Sequence, residues 1–106
     1  MNNKIPYTVI DTASQTTAVI SVAIPRKKQP EVAKPLMTTV KNIGQVCFIK
    51  KSGWKNIYRL QMMGNELSVN GTMAGAFYLL NKLKKNKKKL ETSGLRTLVE
   101  AEVKNN

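Results

Sequence analysis

A polar loop that leads directly into an apolar helix is the part of this sequence best suited to chemistry. The loop covers residues 64–70, Gly-Asn-Glu-Leu-Ser-Val-Asn, and the helix is predicted from Gly71 or Thr72 to Lys85. The first N–H groups of a helix have no partner within it and carry a partial positive charge. The backbone amides of Val69, Asn70 and Gly71 could therefore hold a carboxylate or a phosphate. Many helices begin in this way, so the pattern alone also fits an ordinary helix start.

Length and residue types exclude several classes of site. The chain has 106 residues, which predicts a single domain over residues 1–106. It has no histidine, which excludes a histidine base, a histidine-containing triad and a histidine-ligated zinc, and no metal site is expected. The single cysteine, Cys47, excludes an intramolecular disulfide and fits a reducing compartment. No apolar run is long enough to span a bilayer, and the N-terminus lacks the apolar region of a secretory signal, so a cytoplasmic location is expected.

Basic residues strongly outnumber acidic ones. There are 18 Lys and Arg residues against 6 Asp and Glu, which gives a formal net charge of +12. Trp54, Tyr58 and Tyr78 lie near the basic groups and could stack on bases. No known nucleic-acid motif accompanies them, so two interpretations stay open: a solvated surface, or a binding surface for nucleic acid or an acidic protein. The groups are Arg26-Lys27-Lys28, then Lys50, Lys51, Lys55 and Arg59, then Lys82, Lys84, Lys85, Lys87, Lys88 and Lys89.

Runs of β-branched and alternating apolar residues predict a series of strands. The second run is almost continuously apolar, which predicts that both of its faces are covered, and Pro25 is expected to end it. The third and fourth runs are expected to form an antiparallel hairpin. The predicted strands are Tyr7–Asp11, Ala18–Ile24, Val46–Ile49 and Ile57–Met63, followed by a hairpin of Leu90–Thr92 and Leu98–Val103.

Two segments have helical spacing. In residues 31–40, Pro35 is expected at the first turn, so a helix would begin there, after a basic loop over residues 26–30. The second helix, from Gly71 or Thr72 to Lys85, is expected to have Asn70 as its N-cap. The combined pattern predicts an α+β fold in which an antiparallel or mixed sheet wraps around one central helix. That helix is predicted to present one face of Met73, Ala76, Phe77, Leu80 and Lys84.

The loop and helix resemble a known family, the diaminopimelate epimerase-like fold. Residues 63–73, Met-Gly-Asn-Glu-Leu-Ser-Val-Asn-Gly-Thr-Met, are similar to the pattern Met-Gly-Asn-Glu-Phe-Cys-Gly-Asn-Ala-x-Arg of its amino-acid racemase branch, which includes the histidine racemases of metallophore biosynthesis. The resemblance extends over most of the chain. It includes the first loop at Asp11–Ala18, the Gln-Val strand within Lys41–Ile49, the strand Tyr58–Met62, and the Thr-Ser-Gly hairpin at Thr92–Gly94.

The resemblance implies a cofactor-independent isomerase reaction, racemisation or epimerisation by proton transfer at the α-carbon of an amino acid. In the family, two opposed cysteines, one from each half of the enzyme, act as acid and base, and helix N-termini hold the substrate carboxylate. Here Ser68 stands at the cysteine position, while Val69 replaces a Gly and Met73 replaces an Arg. The implied carboxylate-binding amides are those of Val69, Asn70 and Gly71. Asn65 and Glu66 are expected to shape the loop or contact substrate, and Gln15 takes the place of a substrate-contacting Asn.

Three interpretations follow. The chain corresponds to the N-terminal half of a diaminopimelate epimerase-like fold, and on its own it is expected to be inactive or weak. A serine hydroxyl is too weak an acid to ionise without an activating partner. Two copies could instead form a homodimer in which each replaces the other's missing half, or a partner chain could supply it. The third interpretation is a non-enzymatic basic domain that binds nucleic acid or an acidic protein. Cys47 is expected to be a small buried residue.

Overall fold

The computed structural model describes residues 5–12, 15–40, 42–54 and 56–103, which form a six-stranded sheet and two α-helices. Helix α1 spans Gln29–Thr39 and follows a short 3-10 helix at Arg26–Lys28, while α2 spans Val69–Leu83. The strands lie in the sheet in chain order, β1 to β6. They are β1 Thr8–Asp11, β2 Thr16–Ile20, β3 Gln45–Lys51, β4 Tyr58–Met62, β5 Lys87–Thr92 and β6 Val99–Glu102.

The sheet is a series of antiparallel hairpins connected by the two helices. β1 pairs with β2, β3 with β4, and β5 with β6, each pair antiparallel. Helix α1 joins β2 to β3 and α2 joins β4 to β5, so each of these two neighbouring pairs is parallel, as a crossover connection requires. The mixed sheet curls around α2 as a half-barrel, which confirms the predicted α+β architecture with a central helix.

The two helices cover opposite faces of the sheet. Along β3, Val46 and Phe48 belong to the apolar cluster that packs against α1, whereas Cys47 and Ile49 belong to the cluster that packs against α2. This alternation follows from the two-residue period of a strand. β2 behaves in the same way and is buried on both sides, as its continuous apolarity predicts. The site therefore rests on a sheet that is held from both faces.

Helix α2 lies very close to the central strands because of Gly75. A Cβ added at Gly75 would lie 2.8 Å from Cys47 Sγ and 3.1 Å from Leu60 Cδ2. Real Cβ atoms essentially never come as near as the first distance, so any larger residue would push the helix away from the sheet. This close contact fixes the position of α2, and with it the position of the helix N-terminus.

The predicted strands are confirmed in number and order, with two substantial errors of length. β5 begins at Lys87, three residues before the predicted start at Leu90. β2 spans Thr16–Ile20, so the prediction that this strand continues to Ile24 is wrong. Its last pair with β1 is Val19 with Thr8, and its last pair with β3 is Ile20 with Phe48. β3 continues beyond this pair to Lys51, but after Ile20 the chain leaves the sheet and leads to the 3-10 helix and α1.

The predictions for the first helix need correction. Residues 26–30 are not a loop, because they form the 3-10 helix and the first turn of α1. The proline near the start of α1 is Pro30, and Pro35 lies inside the helix. An internal proline removes a backbone hydrogen bond and is costly. Burial of Ala33, with Val32 and Leu36 packed against the same cluster, offsets that cost.

The predicted face of α2 is divided between core and surface. Ala76 and Leu80 are buried, but Met73 and Phe77 are 55% and 53% exposed. Two large apolar side chains therefore lie on the surface of the domain. They line one apolar groove together with β6.

Some predictions concern residues that the structure does not describe. Residues 1–4, Ala13 and Ser14 of the first turn, Lys41 and Lys55 lie outside the described residues. In the part of the chain that is described, neither helix has the length and apolarity needed to cross a membrane.

Candidate functional site

The sequence-predicted site residues meet at one end of the sheet. Because β3 is antiparallel to β4 and parallel to β2, the start of β3 lies beside the start of β2 and the end of β4. The loop after β4 leads into α2 at this same end, and the hairpin after β5 closes it. The topology thus brings the first turn, the start of β3, the loop 63–68 and the N-terminus of α2 together.

Ser68 is the N-cap of α2. Its backbone is extended, with φ −126° and ψ 119°, and its Oγ accepts a hydrogen bond of 3.0 Å from the Gly71 backbone N–H. This is the usual role of a serine before a helix, since it gives a partner to one of the unpaired N–H groups. The helix begins at Val69, so the prediction that Asn70 is the N-cap is wrong.

The Ser68 hydroxyl is also part of a chain of side-chain hydrogen bonds. It donates to Gln45 Oε1 at 2.7 Å, and Gln45 Nε2 donates to Thr17 Oγ1 at 3.0 Å. Thr17 is fully buried, so the chain runs from the helix terminus into the interior. The network fixes the Ser68 rotamer from both sides, because the hydroxyl accepts from the helix and donates to the sheet.

These contacts keep Ser68 neutral. The acceptor of its hydrogen bond is the side-chain amide oxygen of Gln45, which is not a base near neutral pH. A serine nucleophile or base needs a neighbour that can take the proton, such as a histidine or an amine. In these contacts Ser68 is therefore a hydrogen-bonding residue, and its role as an acid or base stays a prediction.

The three backbone amides predicted to hold an anion differ in their surroundings. The Gly71 N–H is already bound to Ser68 Oγ. Val69 is the first helical residue and is 67% exposed, so this residue lies at the surface. A Cβ at Gly71 would lie 2.6 Å from Met62 Sδ, so this glycine lets α2 approach β4. Carboxylate binding by Val69, Asn70 and Gly71 remains a prediction.

Asn65 and Glu66 shape the loop before the helix. Asn65 has a positive φ of 65°, its N–H donates to the Met62 carbonyl at 3.1 Å, and its Oδ1 accepts from Gln61 Nε2 at 2.9 Å. The Glu66 carbonyl accepts a 2.6 Å hydrogen bond from the Ser93 hydroxyl. Both residues are thus held by their turns and backbone contacts, and any contact with substrate stays a prediction.

Gln15 lies at the same end of the sheet. Its carbonyl accepts hydrogen bonds from the Thr12 N–H at 3.1 Å and from Thr12 Oγ1 at 2.9 Å. Its side chain covers Gly44, where an added Cβ would lie 2.7 Å from Gln15 Nε2. Gly44 directly precedes Gln45, the partner of Ser68. Gln15 is therefore next to the network, and its contact with substrate stays a prediction.

Sequence reasoning missed three residues of this site: Gln45, Thr17 and Ser93. Ser93 is fully buried, accepts from the Met62 N–H at 3.0 Å and ties the loop to the hairpin after β5. The available signal was a polar residue within or beside an apolar strand. Such a residue needs a hydrogen-bond partner once it is buried, but the sequence does not say which.

Cys47 is confirmed as a buried structural residue. Burial raises the pKa of its thiol from 9.0 to about 12, while a backbone hydrogen bond from Gln61 acts in the opposite direction. A thiol with so high a pKa is not a base near neutral pH. Across the described ranges, no three His, Cys, Asp or Glu side chains lie close enough together to bind a metal ion.

Comparison with known proteins supports the resemblance to racemases. No curated protein matches this sequence. The family model described as the histidine racemase CntK N-terminal domain matches residues 4–106, which is almost the whole chain and includes every element of the site. The chain therefore belongs to the family of histidine racemase CntK N-terminal domains.

Proposed function

We propose that this domain forms one half of the substrate cleft of a cofactor-independent amino-acid racemase, with histidine as the first substrate to test. The family is named for a histidine racemase and for its N-terminal domain. In this proposal the N-terminal end of α2 holds the α-carboxylate. Ser68 faces the α-carbon at the position of one of the two acid/base residues.

The observation that carries the proposal is the position of Ser68 at the N-cap of α2. Its Oγ lies 3.0 Å from the Gly71 nitrogen, at the end of the helix where backbone dipoles favour negative charge. An amino acid bound there by its carboxylate would have its α-carbon next to residue 68. Proton abstraction from that carbon develops negative charge close to the same dipoles, which would stabilise it.

Ser68 alone does not complete a proton-transfer pair. Its hydroxyl donates to the neutral Gln45 amide, and racemisation needs a second acid or base on the opposite face of the α-carbon. The isolated domain is therefore expected to bind an amino acid weakly and to racemise it slowly or not at all. A second half of the fold would supply the opposite group.

The exposed apolar surface of the domain supports the two-half arrangement. Met73 and Phe77 of α2 lie beside Val99 and Ala101 of β6 around a groove of about 390 Å³. Monomeric proteins expose few contiguous apolar patches, and larger ones commonly mark interaction sites. A second half packed over this face would cover these side chains and lie next to the N-terminal turn of α2.

Carboxylate binding can be tested at the first helical residue. Proline is well tolerated at this position, and the extended backbone of Ser68 suits a residue that precedes proline. Val69→Pro therefore removes one N–H group from the anion site without breaking the helix, while Val69→Ala keeps that N–H group. Histidine binding to the isotope-labelled chain is measured by nuclear magnetic resonance, with histamine, which lacks the carboxylate, as the control ligand.

We expect L- and D-histidine to shift the amide signals at the start of α2, and histamine to leave them unchanged. Val69→Pro should weaken binding about tenfold or more, because hydrogen bonds to charged groups contribute about 1.5–3 kcal/mol. Val69→Ala should bind like the parent chain. Equal effects of histidine and histamine, or equal binding by the two variants, would exclude the proposed carboxylate site.

A further inference from the structure

A second concave surface lies at the opposite end of α2, away from Ser68. It is a groove of about 840 Å³ between the turn that joins β3 to β4, the last turn of α2 and the start of β5. It has no part in the proposed racemase cleft. Its main polar and aromatic lining residues are Lys51, Trp54, Asn56, Tyr58, Lys85 and Lys88.

The groove combines positive charge with aromatic rings. Lys51, Lys85 and Lys88 line it, and the described lining residues include no Asp or Glu. Trp54 is 65% exposed, which is unusual for a side chain with so much apolar surface. An exposed aromatic ring can stack on a nucleic-acid base, and nearby lysines can contact its phosphate.

Lys88 is held in place within this groove. Its Nζ donates to the Asn56 carbonyl at 2.8 Å and lies 5.8 Å from the centre of the Tyr58 ring. A cation near a ring face at this distance is attracted by the ring electrons. The ammonium group is therefore positioned before any ligand binds, so less side-chain entropy is lost on binding.

The C-terminal end of α2 does not oppose an anion here. A helix C-terminus carries a partial negative charge. In this chain two of its last four carbonyls accept backbone hydrogen bonds, since the Lys84 N–H donates to the Asn81 carbonyl and the Lys85 N–H to the Leu80 carbonyl. Basic side chains surround that end from Lys82 to Lys89. The formal charge of +12 adds a long-range attraction for polyanions.

We propose that this groove binds single-stranded nucleic acid, with Trp54 stacking on a base and Lys51, Lys85 and Lys88 contacting phosphates. A single strand fits better than a duplex because its bases are free to stack on an exposed ring. A concave, basic surface with an aromatic platform is the arrangement that sequence-tolerant single-strand binders use. The groove is independent of Ser68, so either site can fail without the other.

Trp54 provides a direct readout because it is the sole tryptophan of the chain. Its fluorescence is followed while a thymidine oligonucleotide is added, and an abasic oligomer with the same number of phosphates serves as the control ligand. We expect the oligonucleotide to quench the fluorescence and the abasic oligomer to quench it far less. Both oligomers carry the same number of phosphates, so stronger quenching by the oligonucleotide reports contact of Trp54 with a base.

Two variants separate stacking from charge, with affinity measured by the anisotropy of a labelled oligonucleotide. Trp54→Ala should weaken binding about 5- to 150-fold, the range expected for loss of one base–aromatic stack. Lys85→Gln should reduce the slope of log affinity against log salt concentration by about one, which corresponds to the loss of one phosphate contact. Lys27→Gln, on the 3-10 helix, removes the same charge from another exposed position and should leave affinity nearly unchanged.

Three results would overturn the proposal. Equal affinity for the abasic oligomer would show that the surface binds any polyanion, including an acidic protein. Equal weakening by Lys27→Gln and Lys85→Gln would show that total charge, and not the groove, is responsible. Binding to vesicles of anionic lipid with a shift of Trp54 fluorescence, without binding to the oligonucleotide, would assign the surface to membranes.

Discussion

Replacing Ser68 by cysteine would reveal whether the start of α2 can support a charged acid/base residue. Ser68→Cys changes one atom at the N-cap, and a thiolate there would accept from the Gly71 N–H in place of the hydroxyl. Hydrogen bonds to charged groups contribute about 1.5–3 kcal/mol against about 0.5–1.5 kcal/mol for neutral ones. A helix N-terminus adds about 0.3–1 kcal/mol for an anion.

These two effects amount to about 1.5–2.5 kcal/mol, which corresponds to a thiol pKa lower by about one to two units. The side-chain amide oxygen of Gln45 acts against this lowering of the pKa. It accepts a hydrogen bond from residue 68 only when that residue carries its proton, so it favours the neutral form. Gln45 can reverse this effect by turning its amide. Its Nε2 would then donate to the thiolate, while its Oε1 would accept from the Thr17 hydroxyl. With the amide turned, we expect a thiol pKa about one unit or more below that of a free cysteine.

The assay is the rate of alkylation by iodoacetamide as a function of pH, followed by mass spectrometry. The parent chain gives a low background, because Cys47 is buried and its thiol pKa is about 12. Ser21→Cys is the control, since Ser21 is exposed and lies outside any helix terminus. If the thiol pKa at position 68 equals or exceeds the thiol pKa at position 21, the electrostatic reasoning is wrong. In the Ser68→Cys chain, a second substitution, Gln45→Met, should raise the thiol pKa at position 68 if the Gln45 amide turns. It should lower that pKa if the Gln45 amide oxygen keeps facing residue 68.

Two further predictions concern stability and association. Burial holds the pKa of Cys47 at about 12 against 9.0 for the free thiol, so the unfolded state loses its proton first. The free energy of unfolding should therefore be unaffected by this group below pH 9.0 and fall between pH 9.0 and about 12, by up to about 1.4 kcal/mol per pH unit. Urea unfolding of Cys47→Ala should lack this component, and an unchanged pH dependence would contradict it. Phe77→Glu should leave the fold intact, because Phe77 is 53% exposed, but should abolish pairing through the α2 face. Light scattering tests this, and a Phe77→Glu protein with the same mass as a dimeric parent would place the interface elsewhere.

The strands were predictable because their signal is local. Each face of β3 takes alternate residues, and Val46, Cys47, Phe48 and Ile49 show this in four consecutive positions. The start of α1 was not predictable from Pro35, because a tertiary contact decides it. Packing of α1 on the sheet stabilises a proline-containing helix that propensity alone would shorten.

The site shows the same division between local and long-range information. Its location followed from one loop and the helix after it, together with the family resemblance. Gln45 was missed as a site residue because it lies 23 residues before Ser68, and only the pairing of β3 with its neighbours brings the two together. The cap was misassigned for a smaller reason. Serine and asparagine are equally good N-cap residues, and the helix begins two or three residues earlier than its apolar period indicates.

The chain-order arrangement of the strands has a consequence for folding. Each strand pairs with its neighbour in sequence, so few long loops must close, and contacts of short separation favour fast folding. The order of synthesis adds a constraint. β1 to β4 leave the ribosome before α2, so the surface formed by Val19, Ile49 and Leu60 has no cover until residues 69–83 emerge. During that interval the nascent sheet exposes an apolar face, and a delay there would favour aggregation.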